Sequence, residues 1–241
     1  MSKTLVIYGG SSLISQELIV IFSKENYNFI IFCRNKKKFL NEISKFNVNQ
    51  NNMKIFEADL LEIEKNLELI ENLKNDIDGV IWVSGNTGDP SKEFNHTDLA
   101  SNNIKLNFLN PVLIMNKLLL KTKKNGESFF AVICSVAGLR GRAKNIFYGS
   151  SKSGLISYLS GLRQHYNNKI NILTIIPGYM STNSFREDAP NFLITPPKKA
   201  ASIIFNAIKS KREIVYINFY WRVIMFIVRL IPEKIFKKLN F

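Results

Sequence analysis

The stretch FYGSSKSGL puts Tyr148 four residues ahead of Lys152, with only Gly149, Ser150 and Ser151 between them. On a helix these two positions share one face, with Cβ atoms about 5–6 Å apart. A free phenol titrates near ~10, which makes it a weak acid at neutral pH. An ammonium about 5 Å away, at an effective dielectric of about 20, favours the phenolate by roughly 3 kcal/mol, or about two pKa units. The pair is therefore a candidate proton donor. The same spacing also arises where an exposed aromatic merely lies beside a solvated charge, so the surrounding residues must decide.

Several of those residues are suggestive. Ser135, in ICSVAGLRG, lies thirteen positions before Tyr148. Asn107, in KLNFLNP, falls in a long helical stretch where an apolar surround would make a lone amide costly. The first apolar run ends in YGGSSLIS, a glycine turn opening into a helix, where Gly9, Ser11, Ser12, Leu13 and Ile14 could offer backbone N–H groups to a pyrophosphate. Gly-Gly-Ser-Ser is also an ordinary turn. The second run ends in CRNKKK, with no acidic residue to accept from a ribose hydroxyl; Arg34, helped by Lys36 or Lys37, suits a 2′-phosphate, unless it is a solvated helix start. Asp59-Leu60 follows the third run, placed for an adenine amine or to cap the next helix. IIPGYMST adds a Pro177-Gly178 turn and Thr182.

The elements that would carry these residues alternate. Apolar, β-branched or aromatic runs at 4–8, 29–33, 54–58, 79–84, 129–135, 170–176 and 213–217 read as strands covered on both faces. Helical patterns fall between them at 13–24, 36–46, 61–74, 97–123, 148–167 and 198–210. This alternation predicts an α/β, Rossmann-type doubly wound parallel sheet of about seven strands with right-handed crossovers. Ligands of such sheets sit beyond the carboxyl ends of the strands, where the candidate residues fall. We expect one domain over 1–218, with 219–241 as an appendage.

The 241 residues are 46% hydrophobic and 22% charged, a globular composition. Cys33 and Cys134 sit in apolar runs and read as reduced core residues; His96 and His165 are isolated, so no metal site is expected. The net charge of +14 points to an anionic partner: nucleic acid, a phosphorylated substrate or an acidic membrane surface. Nucleic acid is disfavoured, because the lysines are scattered and no recognition motif is present. MSKTLVIYGG runs straight into a strand, from which a cytoplasmic location is expected.

Taken together, Ser135, Tyr148-x-x-x-Lys152, upstream Asn107 and downstream Pro177-Gly178 resemble the short-chain dehydrogenase/reductase family in its single-domain form, over almost the whole chain. The resemblance implies hydride transfer between a nicotinamide cofactor and a carbonyl, with Asn107, Ser135, Tyr148 and Lys152 as a catalytic tetrad. Tyr148 would protonate the alkoxide, Ser135 would polarise the carbonyl, Lys152 would hold the cofactor ribose, and Asn107 would hold a water. It also implies cofactor contacts at Asp59, Leu60, Ser84, Gly85 and Thr182. NADP(H) is expected from Arg34, with NAD(H) as the alternative. Two departures stand out. The family's Gly-x-x-x-Gly-x-Gly reads Gly9, Leu13, Ser15, so that Leu13 could crowd the pyrophosphate and Ser15 could push the first helix off the sheet. Its Asn-Asn-Ala-Gly is replaced by WVSG at 82–85.

The ending REIVYINFYWRVIMFIVRLIPEKIFKKL resembles that of family members that reduce the 2-keto group of a polyprenyl-phosphate-linked pentose after a flavin oxidase has made the ketone. Another lipid-like or small ketone, or a non-catalytic nucleotide sensor, are the alternatives. Arg222, Arg229 and Pro232 interrupt the apolar run too early for a membrane span. Phe219, Tyr220, Trp221 and Phe226 beside arginines suit a helix lying on a membrane surface, and equally one packed on a second subunit. Residues 183–197 read as a substrate loop, and Arg140, Arg142 and Lys144 as a basic stretch facing either a substrate phosphate or solvent.

Overall fold

The computed structural model describes residues 2–74, 76–181 and 190–239. Seven strands, β1 (Lys3–Tyr8), β2 (Tyr27–Cys33), β3 (Met53–Glu57), β4 (Gly79–Trp82), β5 (Ser128–Ile133), β6 (Ile170–Pro177) and β7 (Ile214–Ile217), form one sheet in the order β3-β2-β1-β4-β5-β6-β7. Every pairing is parallel, as the unbroken apolar runs predict. The order reverses between β1 and β4, which opens a crevice at their carboxyl ends.

Among the described residues eight α-helices lie between the strands and two follow the last: α1 (Leu13–Phe22), α2 (Lys36–Ile43), α3 (Ile63–Glu71), α4 (Pro90–Asn95), α5 (Thr97–Ile104), α6 (Asn110–Lys121), α7 (Ile146–His165), α8 (Pro197–Lys209), α9 (Tyr220–Leu230) and α10 (Glu233–Phe236). Side chains alternate across the sheet. Leu5 and Ile7 of β1 join a core with α1, α2 and α8, whereas Val6 and Tyr8 join the opposite core with α3, α6 and α7. On that second face Phe56, Phe32, Tyr8 and Trp82 stack across four adjacent strands, with centroids 5.3, 4.8 and 4.3 Å apart. The Tyr8 hydroxyl bonds the Asn66 amide oxygen, so the stack carries no unpaired phenol.

The structure trims several expected elements. The strand read at 79–84 ends at Trp82, releasing Ser84 and Gly85 into a loop, and the one read at 129–135 ends at Ile133. Helix α4 was not expected; six residues capped by Asp89 and opened by Pro90 are too short to show periodicity. The long helix at 97–123 is one helical run interrupted by a π-turn at Lys105–Leu109. Pro111 has no N–H to give the Asn107 carbonyl, and Asn110 instead donates to Lys105, five residues back.

Candidate active site

Gly9 ends β1 with φ +95°, and a Cβ there would stand 2.6 Å from the Ser84 hydroxyl and 2.9 Å from its amide. Only glycine lets the first turn pass the loop after β4 at this distance. Ser12 caps α1, its Oγ accepting from the Ile14 amide at 3.3 Å. Ser15, expected to push α1 outward, is instead fully buried and donates to the Gly9 carbonyl at 2.8 Å, tying the helix to the turn. Leu13 stays at the rim, partly exposed.

From this turn a cleft of about 810 Å³ runs along the carboxyl edge of the sheet. It is lined by Gly9, Ser11, Ser12, Leu13, Ile14, Arg34, Asp59, Leu60, Ser84, Gly85, Ser135, Tyr148, Lys152, Pro177 and Gly178. Thr182 and residues 183–189 lie outside the described residues. At the far end the basic contribution is corrected: Lys38, in the first turn of α2, lines the cleft with Arg34, whereas Lys36 and Lys37 do not. The Glu57 carboxylate, brought over by β3, accepts from the Lys36 amide at 2.8 Å. Asp59 accepts from the Leu61 amide at 2.9 Å, so it caps the following turn while lining the cleft.

Ser135 leaves β5 in extended conformation, its Oγ accepting from the Ala137 amide at 3.1 Å and hydrogen-bonded to the Tyr148 phenol. Tyr148 and Lys152 stand one turn apart on α7, the lysine Nζ 5.7 Å from the centroid of the tyrosine ring. Lys152 is 2% exposed, and its Nζ donates to the Ile133 carbonyl at 3.2 Å. A Cβ added at Gly85 would stand 3.0 Å from Asn107 Oδ1 and 3.2 Å from Lys152 Nζ, so that glycine keeps space where both head groups converge.

The electrostatics differ from expectation. Burial pushes Tyr148 up from 10.0 to about 12, against the lowering effects of the Ser135 hydrogen bond and the Arg142 charge. Burial also holds Lys152 below the usual ammonium range. The predicted net acidification of the phenol is therefore corrected: desolvation raises it, and the effects that lower it come from Ser135 and Arg142.

Asn107, fully buried, is held on both sides of its amide. Oδ1 accepts from the Asn86 amide at 3.0 Å, and Nδ2 donates to the Asn86 carbonyl at 2.7 Å and to Asn103 Oδ1 at 2.8 Å. Asn103 in turn donates to the buried Glu93 carboxylate at 2.6 Å. Sequence reading missed Asn86, Asn103 and Glu93. The i, i+4 spacing of Asn103 and Asn107 was visible, but their partners come from the loop after β4 and from the unexpected α4.

The basic stretch after Ser135 divides. Arg140 binds Glu233 at 2.6 Å and the Ile231 carbonyl at 3.2 Å, and lies over the Phe236 ring. It braces the tail and does not line the cleft. Arg142 and Lys144 do line it. From the tail, Trp221 is 5% exposed and packs its indole against Gly178 and edge-on to Tyr179. Cys33 and Cys134 are free and buried, and burial raises both thiols, to about 11 and about 12.

A parallel seven-stranded sheet with a glycine turn at its switch point and a Ser-Tyr-Lys-Asn cluster beside it defines a dinucleotide-fold oxidoreductase architecture. The family model described as short chain dehydrogenase matches residues 3–191, and the chain belongs to that family. Over 118 residues it is 34% identical to a ketoacyl reductase, HetN, of Nostoc sp., covering 46% of this chain and 41% of that protein. Over 119 residues it is 30% identical to an uncharacterized oxidoreductase of Streptomyces coelicolor, covering 48% and 47%. The chain spans about half the length of the curated relatives it matches. Among solved structures it resembles a short chain dehydrogenase from Burkholderia cenocepacia in complex with NADP, at TM-score 0.82 and 14% identity over 99% of this chain and 97% of that one. It also resembles ElxO with NADP bound, at TM-score 0.79 and 21% identity over 92% and 100%.

Proposed function

We propose that the chain is an NADP(H)-dependent reductase of a keto group. The observation that carries this reading is the convergence of Ser135, Tyr148 and Lys152 in one cleft with the Gly9 turn, Arg34 and Lys38, with buried Asn107 behind Gly85 next to the Lys152 head group. The cleft fits a dinucleotide phosphate: the tight Gly9 crossing exposes the start of α1, and two cations stand at the end of β2. NADP in the Burkholderia and ElxO structures supports that choice; NAD(H) is the alternative.

When bound, the reduced nicotinamide supplies the hydride. This chain's residues do the rest. Ser135 donates to the carbonyl oxygen and stabilises the charge that develops there. Tyr148 gives its proton to that oxygen; burial raises the phenol to about 12 and so weakens it as a donor, which the Ser135 hydrogen bond and the Arg142 charge partly offset. Lys152 holds the ribose, and Asn107 holds a water that reprotonates the phenol. Asp59, Leu60, Ser84, Gly85, Pro177 and Gly178 line the cofactor's path, and Thr182 is proposed at the nicotinamide.

For the substrate we propose the 2-keto group of a polyprenyl-phosphate-linked pentose, with a flavin oxidase supplying the ketone. The apolar, basic tail that borders the cleft supports a lipid-like substrate. Residues 1–218 would form the catalytic domain and 219–241 its appendage, docked on the inner face of the membrane. The ketoacyl reductase relative favours another lipid-like or small ketone as the second reading. Exposed Leu109, Leu113 and Leu120 on the π-turn and α6 support a homo-oligomer.

The test follows NADPH absorbance with a synthetic prenylphosphoryl keto-pentose. Tyr148→Phe should lower kcat by about 10²–10⁴-fold while leaving NADPH affinity unchanged. A variant that keeps its full rate sinks the reading, and so does a wild-type protein that fails to bind NADPH.

A further inference from the structure

At the end of the cleft opposite Arg34, the loop between Ser135 and α7 presents one arginine whose purpose the hydride-transfer chemistry leaves open. Arg140 and Arg142 are two residues apart and chemically identical, yet the fold treats them differently. Arg140 has a carboxylate, a carbonyl and an aromatic face from the tail. Arg142 lines the cleft, as Asn145, Tyr148 and Ser135 do. Its Nε is buried and has no hydrogen-bond partner among the described residues.

A buried guanidinium N–H without an acceptor is costly, and the cost is recovered when a ligand brings an oxygen. The planar fork of arginine matches the paired oxygens of a phosphate. The position matters too. Arg142 and Tyr148 line the same cleft, and the Arg142 charge lowers the phenol. Arg140 clamps the same short loop to α10, which limits how far Arg142 can swing away.

We propose that Arg142 is a substrate-binding residue that receives a phosphate group carried by the substrate near its ketone. The proposal rests on the reductase reading for the orientation of the cleft, and it deepens that reading by assigning the substrate class: a phosphorylated ketone, with the phosphate esterified to a lipid or carried on a small molecule.

The test uses the whole chain saturated with NADP+, so that the cofactor's own phosphate contacts are filled. NADPH binding is measured first, by fluorescence; its failure would remove the reductase reading without bearing on Arg142. Inorganic phosphate and farnesyl phosphate are then titrated calorimetrically into the wild type, Arg142→Gln, Arg142→Lys and Arg140→Gln. Both anions should bind the wild type, and Arg142→Gln should weaken each by about tenfold or more, the effect of losing one charge-assisted contact. Arg142→Lys should recover part of that loss. Arg140→Gln should leave phosphate binding within about twofold, since its partners are protein groups. Tighter binding of farnesyl phosphate than of phosphate identifies a lipid source; equal binding identifies a small phosphorylated ketone. Absence of saturable anion binding in the wild type, or binding that Arg142→Gln leaves unchanged, overturns the assignment.

Discussion

Gly85 shows how finely the candidate site depends on single atoms. Its missing Cβ is what lets Asn107 Oδ1 and Lys152 Nζ approach the same small volume. Gly85→Ala should therefore displace the lysine head group and lower kcat by roughly tenfold or more, with little change in melting temperature. The measurement is steady-state kinetics beside thermal unfolding, and an unchanged rate would show that the two groups do not act together. At Gly9 the same substitution acts differently. There the backbone sits at positive φ and the obstacle is the Ser84 main chain, so Gly9→Ala should cost about 1–3 kcal/mol of stability and weaken NADPH binding as well.

The elements differ in how firmly the structure holds them. The tail helix α9 buries Trp221 and Met225 against Val136 and Ile176, which fixes one of its faces. Trp221→Ala should cost about 3–5 kcal/mol through the cavity it leaves, and should loosen the Gly178 turn it packs on. The opposite face is bare: Phe219 is 80% exposed, Phe226 64% and Leu230 66%, with Arg222 and Arg229 on the same helix and Lys234, Lys237 and Lys238 following. Among the described residues no helix is long and apolar enough to cross a membrane. An exposed apolar strip flanked by cations suits the surface of an anionic bilayer. Flotation with phosphatidylglycerol vesicles should recover the wild type and lose Phe226→Glu, with phosphatidylcholine vesicles binding neither. If Phe226→Glu instead converts a dimer to a monomer, the strip is a subunit contact.

At the scale of the whole molecule, buried phenols set the response to alkali. Burial raises Tyr148 and Tyr27 to about 12 and pushes Tyr8 and Tyr158 up as well. In each case the folded chain holds its proton at a pH where the unfolded chain, at 10.0, has lost it. Stability is thus fully present below pH 10 and is lost as pH rises toward 12. Lys152 has the opposite sign: its folded value is lowered, so its contribution falls as pH falls through that value. Thermal unfolding should show a steep alkaline loss, shallower in Tyr148→Phe. A melting temperature that stays flat across that window would contradict the burial of these groups.

Much of this protein is legible before any coordinates. Largely apolar runs, rich in β-branched and aromatic residues, in β1, β4, β5 and β6 announce a parallel sheet because strands covered on both faces must be mainly apolar on both, a purely local requirement. The spacing of Tyr148 and Lys152 is likewise local, since one helix carries both. Other properties are not local. Asn107 finds its partners in Asn86 and Asn103, and one of these comes from a loop ordered by a different strand. Arg140 and Arg142 look alike in the chain, and only the path of the loop past the tail sends one to Glu233 and the other to the cleft. The titration of Tyr148 likewise belongs to its surroundings: spacing from a lysine indicates a lowered value, but dehydration by packed neighbours raises it. Residue order determines what repeats along a chain, whereas burial and electrostatic environment depend on which distant segments the fold brings together.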